Sequence, residues 1–326
     1  HRCTDTEAEE ALMLEQIFTL TFLTGFLVAT IRMMTPILIT ALGEMIAERS
    51  GVMNLGIEGI LIIGAFTGFT AAYESGSLIL GFIAGGLAGA LFGLVMGIAS
   101  VRFKANQIVA GVGIWILCQG LSSLLSRSIY GIVDTRPSLT TFQPIPIPLL
   151  SDIPLLGPAL FNQNIIVYLT ILTIPLLTWI FRQTAWGIQI DSIGETPRAA
   201  DAAGLNVNLI RTLAVTVGGM FAGFGGSYLA VGLYGLYTDD LSLGLGWMAI
   251  AVVVFGKWKP WGIFGGAMIF GAANALQFRL QAMDFPLPYQ FLLMLPFVVT
   301  LLIVVLFVRG ESGPSALTKP YDRYHN

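Results

Sequence analysis

The sequence predicts an all-α, polytopic helical membrane protein, and three observations carry that expectation. Of 326 residues, 55% are hydrophobic and 11% charged, with a mean hydropathy of +0.80; soluble domains carry about 25% charged residues. The charges are clustered, so that 75–101, 153–181, 212–238, 241–256, 260–278 and 285–308 contain none. Apolar stretches of about 17–25 residues cross a bilayer as helices. Ten-residue alternation of apolar and polar positions, the mark of an outer-membrane barrel, is absent. The expectation is eight to ten transmembrane helices, with broken helices among them.

Composition also excludes functions. A net charge of −3 gives no reason to expect a nucleic-acid partner. The two histidines, His1 and His325, are terminal, so no ligand set for a metal is expected. Cys118, inside an apolar run, reads as a small buried hydrophobe, and nothing points to a disulfide with Cys3. No G-x-x-x-x-G-K-[ST] phosphate loop occurs, so ATP hydrolysis in this chain is not expected. No catalytic residues and no cofactor are expected either.

Taken in order, residues 1–15 form a polar tail, acidic over 1–12 (HRCTDTEAEEAL). The tail is expected to be either an added or processing remnant or sequence ahead of a start near Met13; no basic region of a cleavable signal precedes an apolar run. A single membrane domain is expected over 16–309, with a cytoplasmic tail over 310–326. Candidate spans are 16–47, 52–73, 77–101, 105–130, 164–181, 211–235, 241–256, 260–281 and 287–308. The first would be about 48 Å long as one helix against a ~30 Å hydrocarbon core. Pro36 is therefore expected to break it.

Placing the C-terminus in the cytoplasm and alternating backwards puts ten basic residues inside, among them Arg102, Lys104, Arg182, Arg198, Lys257 and Lys259, against Arg136 outside. Arg127 and Arg279 lie near outer span ends. That asymmetry is the positive-inside pattern. The outside loop 131–163 carries six prolines and is expected to be extended; 182–210 is the longest inside connection.

Two glycine-rich segments interrupt the apolar pattern: Gly51–Gly64, which opens within ERSGVMNLGIEG (48–59), and GLYGLYTDDLSLGLG (232–246). Non-helical backbone survives at membrane depth only where protein or a water-filled cavity satisfies it, and such breaks point to a transport pathway. Asn54 and Glu58, four apart, share a face if the segment is helical. Either they line a translocation path, or Glu58 caps backbone amides freed by the break. A further segment, GETPRAADAAG (194–204), has helix signals: Thr196 at the N-cap, Pro197 at N1, alanines, and Gly204 as a left-handed stop. Two turns are not stable alone and must dock on something.

ERSGVMNLGIEG, GETPRAADAAGLNV and AVVVFGKWKPWG (251–262), with Leu42-Gly43-Glu44 ahead of the first, resemble permease subunits of ABC importers of the ribose, branched-chain amino acid and nucleoside group. The likeness runs from about residue 20 to 308 and is strongest to nucleoside and simple-sugar permeases that work with binding lipoproteins. It implies a prokaryotic inner-membrane permease without enzymatic activity, paired with a second permease subunit, the same or paralogous. A separate ATPase subunit would bind the ATP, and an extracytoplasmic solute-binding lipoprotein would deliver the solute. By the same likeness, 194–204 is the coupling helix, with Glu195, Pro197, Arg198, Ala199, Ala200, Asp201 and Gly204 at the ATPase contact. Ala200, mid-helix, is expected to face that partner. Trp115 and Trp247 depart from the pattern, where similar proteins more often have Asn and Phe or Tyr. They would stack on a nucleobase or sugar if they line the path, or else serve as packing or interfacial anchors. The alternative function is an ion- or proton-coupled transporter, for which Glu44 and Glu58 are the candidate acids.

Overall fold

The computed structural model describes residues 20–131, 137–283, 288–307 and 313–322. The expected polar tail, with Cys3 and both histidines, lies outside the described residues. The chain is helical as expected, with twelve α-helices among the described residues. Helix α1 (Leu20–Arg49) runs unbroken through Pro36. Proline removes the N–H that would serve the Arg32 carbonyl, yet the Thr35 hydroxyl donates to the neighbouring Ile31 carbonyl at 2.7 Å. Pro36 is buried in the bundle, where membrane helices keep such residues because neighbours re-satisfy the backbone. Burial continues from Met34 to Glu48 without a gap, so the length beyond a bilayer core is enclosed by protein.

Helices α2 (Ile57–Ser75), α3 (Leu78–Gly97, continued by a π-helical turn Ile98–Arg102) and α4 (Gln107–Tyr130) complete the first half. Between α4 and α6 (Ile165–Gln183) the loop is only partly extended. Strands β1 (Ile145–Pro146) and β2 (Asn162–Gln163) pair antiparallel, and the short helix α5 (Leu156–Phe161) lies between them. Two helices at the other end, α7 (Ala185–Glu195) and α8 (Pro197–Ala202), lead into α9 (Val207–Ser227), which extends as a π-helical stretch Tyr228–Tyr234. Next come α10 (Leu245–Phe255), α11 (Pro260–Ala282) and α12 (Tyr289–Phe307).

Among the described residues six helices are long and apolar enough to cross a membrane: α1, α2, α3 with its π turn, α4, α6 and α9 with its π stretch. Helices α11 and α12, of 23 and 19 residues, bring the rods of membrane length to eight. The apolar run 241–256 is helical only from Leu245, and its 11 residues reach about 16 Å, half a hydrocarbon core. The second glycine-rich segment thus re-enters the bundle before that helix starts.

The tightest packing is between α3 and α9, which run antiparallel. A Cβ on Gly89 would stand 2.3 Å from the Gly219 carbonyl oxygen, and one on Gly223 would stand 2.2 Å from that of Gly85. Glycines at 81, 85, 89, 93 and 97 form one ridge of α3, and small residues at such spacing let membrane helices approach backbone to backbone. This four-residue ladder is legible in the sequence once sought.

Candidate functional site

The three quoted motifs, far apart in sequence, meet at one end of the bundle. Where α1 ends, the Glu48 Oε2 accepts from Trp258 Nε1 at 2.6 Å, and Arg49 forms a bidentate pair with Asp191 of α7, at 2.7 and 2.5 Å. The Arg49 guanidinium also lies over the Phe181 ring, 4.0 Å from its centroid. Lys257 and Trp258 both hold left-handed backbone, with φ of 52° and 53°. That conformation costs a non-glycine residue roughly 1–2 kcal/mol, so the Trp258 bond to Glu48 and the close turn sustain each other. Gly194 is required by contact: a Cβ there would stand 1.9 Å from the Arg49 carbonyl oxygen.

The non-helical elbow 50–56 is satisfied from within. Asn54 N donates to Glu44 Oε1 at 2.7 Å, Met53 N to Gln107 Oε1 at 2.9 Å, and Gly56 N to Asn54 Oδ1 at 3.1 Å. Gly51 holds φ of 95°, the left-handed region where glycine carries no Cβ penalty. Sequence reading singled out Asn54 but missed Glu48, Arg49, Asp191, Trp258 and the fully buried Arg211. Their signal was weak: charges flanking apolar runs are ordinary, and only their pairing makes them a unit.

Glu58, in the first turn of α2, is buried and reaches the second break. Its Oε1 accepts from Ser242 Oγ at 2.5 Å and from Gly244 N at 2.9 Å, while Oε2 accepts from Gly246 N at 2.6 Å. Those amides belong to the orphan donors that start α10. The carboxylate therefore caps one interrupted segment from the other, the geometry of the second alternative stated for it. Beside this joint, Trp115 and Trp247 meet edge to face with centroids 5.7 Å apart. The four pathway candidates thus come together: Asn54 in the elbow, Glu58 in the helical turn that follows it, and the tryptophans beside them. Asn54 Nδ2 and Trp115 Nε1 are buried there without a hydrogen-bond partner.

On the far side of Ser242 and Leu245 lies a cavity of about 250 Å³, whose wall also includes Tyr234, Asn274, Gln277 and Phe278. The wall is mainly apolar with convergent amides, the usual make-up of a small-molecule site.

Segment 194–204 is helical over Pro197–Ala202, with Pro197 at N1 and Gly204 at φ of 90°. Thr196 stands at the N-cap without a side-chain bond. Arg198, Ala199, Ala202 and Ala203 are exposed, and Glu195 and Gly204 with them. Ala200 points the other way: it is 4% exposed and packs with Ile193, Val207 and Tyr321. The outward face is therefore one residue earlier than the sequence suggested, because packing against Ile193, Val207 and Tyr321 turns Ala200 inward.

Long apolar helices with two interrupted segments joined between them define a polytopic helical membrane protein. The family is equally clear: residues 26–306 match the model described as "Branched-chain amino acid transport system / permease component", and the chain belongs to that family. Among its relatives are the guanosine ABC transporter permease NupQ of Bacillus subtilis (37% identical, covering 90% of this chain and 95% of the relative) and the nucleoside ABC transporter permease NupC of Lactococcus lactis (31%, 86% and 92%). The putative glucose ABC transporter permease TsgC13 of Haloferax volcanii is 35% identical over 82% of this chain and 81% of the relative. Each of these organisms also has a second similar permease, at 23–24% identity. No solved structure matches.

Proposed function

We propose that this chain is one permease subunit of an ATP-driven importer whose solute is a nucleoside. The observation that carries the solute class is the likeness along nearly the whole chain to a guanosine permease, at 37% identity. Trp115 and Trp247 support it, since an aromatic pair beside a transport joint suits a solute with a planar base. A simple sugar is the second reading, favoured by the likeness to a putative glucose permease. In this proposal the solute enters from the cavity at Asn274 and Gln277. It then passes between the elbow and α10 when the bonds from Glu58 to Gly244 and Gly246 part. Asn54 Nδ2 and Trp115 Nε1, unpartnered when the joint is closed, then become donors for it.

The end carrying Arg49, Asp191 and Lys257 faces the cytoplasm, as does the C-terminal segment. There the helix Pro197–Ala202 meets a separate ATPase subunit, which binds the ATP, through Arg198, Ala199 and Ala202. A solute-binding lipoprotein serves the opposite face. The second permease subunit is a paralogue. In support, Bacillus subtilis, Haloferax volcanii and Lactococcus lactis each have two similar permeases, and this chain is nearer one member of each pair. The test is uptake by vesicles holding the assembled complex, given guanosine, uridine, ribose or glucose in labelled form. Nucleoside uptake that unlabelled glucose does not inhibit is expected. Uptake of glucose alone would replace the nucleoside reading with the sugar one.

A further inference from the structure

We propose that the C-terminal segment 313–322 is a splint that fastens the coupling helix to the membrane elbow, so that movement imposed on the helix reaches the solute joint through it. The inference rests on the reading of Pro197–Ala202 as the ATPase contact, and adds a part that reading does not contain.

The segment bonds alternately to the two sides it joins. Ala316 N donates to the Gly194 carbonyl at 2.9 Å, on the coupling side; two residues on, Thr318 N donates to the Gly51 carbonyl at 3.2 Å, on the elbow. Ala316 is 6% exposed and sits between them, its carbonyl oxygen 3.1 Å from where a Gly51 Cβ would be. The buried Arg211 closes the junction: Nη1 donates to the Lys319 carbonyl at 3.0 Å and Nη2 to the Ile193 carbonyl at 3.4 Å. One guanidinium thereby holds the tail, α7 and α9 together.

Side chains add ties on the coupling side. Ser315 Oγ donates to Glu195 Oε2 at 2.6 Å, and Tyr321 Oη donates to Asp201 Oδ2 at 2.8 Å, from within the packing around Ala200. Asp322 pairs with Lys104 at 2.6 Å, beyond the π turn of α3; this contact is partly exposed and secondary. A tail with no role would be solvated. Here it supplies the partners of backbone carbonyls at Gly51 and Gly194, both on buried residues, and buried carbonyls are rarely left unpaired. Gly51 lies three residues before Asn54 and seven before Glu58. Displacement of the tail is thus applied to the elbow that caps α10.

The experiment compares complexes reconstituted in vesicles, reading ATPase co-purification and solute taken up per ATP hydrolysed. One variant ends the chain before Gly313. A milder one, Ser315→Ala with Tyr321→Phe, removes side-chain ties and keeps every backbone bond. Both should retain the ATPase subunit, because the outward face of the helix is intact. Uptake per ATP should fall about tenfold in the truncation, within the usual range of coupling between sites, and less in the milder variant. Wild-type coupling in the truncated complex would overturn the splint. Should truncation prevent assembly, unchanged coupling in the double variant overturns it instead. Ala199→Trp, which leaves the tail untouched, tests the underlying reading separately: if it keeps both ATPase binding and uptake, the helix is not the contact.

Discussion

Glu58 shows how a membrane carboxylate can be architectural. Its two oxygens serve one hydroxyl and two amides that have no other partner at the start of α10. Removing the side chain leaves those amides unsatisfied in a water-poor interior, at about 1–3 kcal/mol for each group. Glu58→Ala is therefore expected to lower the thermal midpoint of the purified complex and to abolish uptake. Glu58→Gln, with one carbonyl oxygen left as acceptor, should fall between Ala and wild type in both measurements. An Ala variant as stable as wild type would remove Glu58 from the joint. The capping role was visible in the sequence as one of two alternatives. Its partners were not, because Ser242, Gly244 and Gly246 lie 184 to 188 residues away.

Among elements, the α3–α9 contact and the helix Pro197–Ala202 make opposite demands on small residues. In the glycine ladder a side chain has nowhere to go: a Cβ at Gly89 meets backbone, which cannot rotate aside. Gly89→Leu is expected to cost well over the ~1–3 kcal/mol of ordinary overpacking, seen as loss of the monodisperse peak on size-exclusion chromatography. Gly113→Ala, on a face of α4 with nothing within 4 Å, is the matched control. It should be neutral or stabilising, since alanine is the better helix former by about 1 kcal/mol. In helix Pro197–Ala202 the alanines divide by side. Ala200→Trp would overpack this chain's own contact with Ile193 and Val207 and should lower its thermal stability. Ala199→Trp should leave stability unchanged and weaken co-purification of the ATPase subunit. Equal behaviour of the two variants would mean the helix is turned differently in the complex. Composition announced this helix correctly, with its proline start and glycine stop; it could not tell Ala199 from Ala200, because which side is buried depends on the tail and α9.

For the whole molecule the open quantity is orientation. The basic residues gather at the end where Arg49, Asp191, Trp258 and the tail meet, and an excess of Lys and Arg marks the cytoplasmic side. Single cysteines at Ser138 and Asn206 sit at opposite ends, both off the buried core. An impermeant thiol reagent on intact cells should label the first and spare the second. Labelling at Asn206 alone would invert the proposed orientation and remove helix Pro197–Ala202 from the proposed ATPase contact.

By itself the sequence determined the class of the protein, the approximate rods, the two interruptions and the short helix Pro197–Ala202. Each follows from a local cause: apolar length against bilayer thickness, glycine where backbone must turn, proline and alanine where one turn of helix must start and hold. Tertiary structure decided the rest. It kept α1 whole through Pro36 by enclosing it, and it reduced 241–256 to a half-length helix by capping that helix with Glu58. It turned Ala200 inward and brought Glu48, Arg49, Asp191 and Trp258 into one cluster. These outcomes depend on which distant backbone supplies a missing donor or acceptor, and no local period in the chain encodes that.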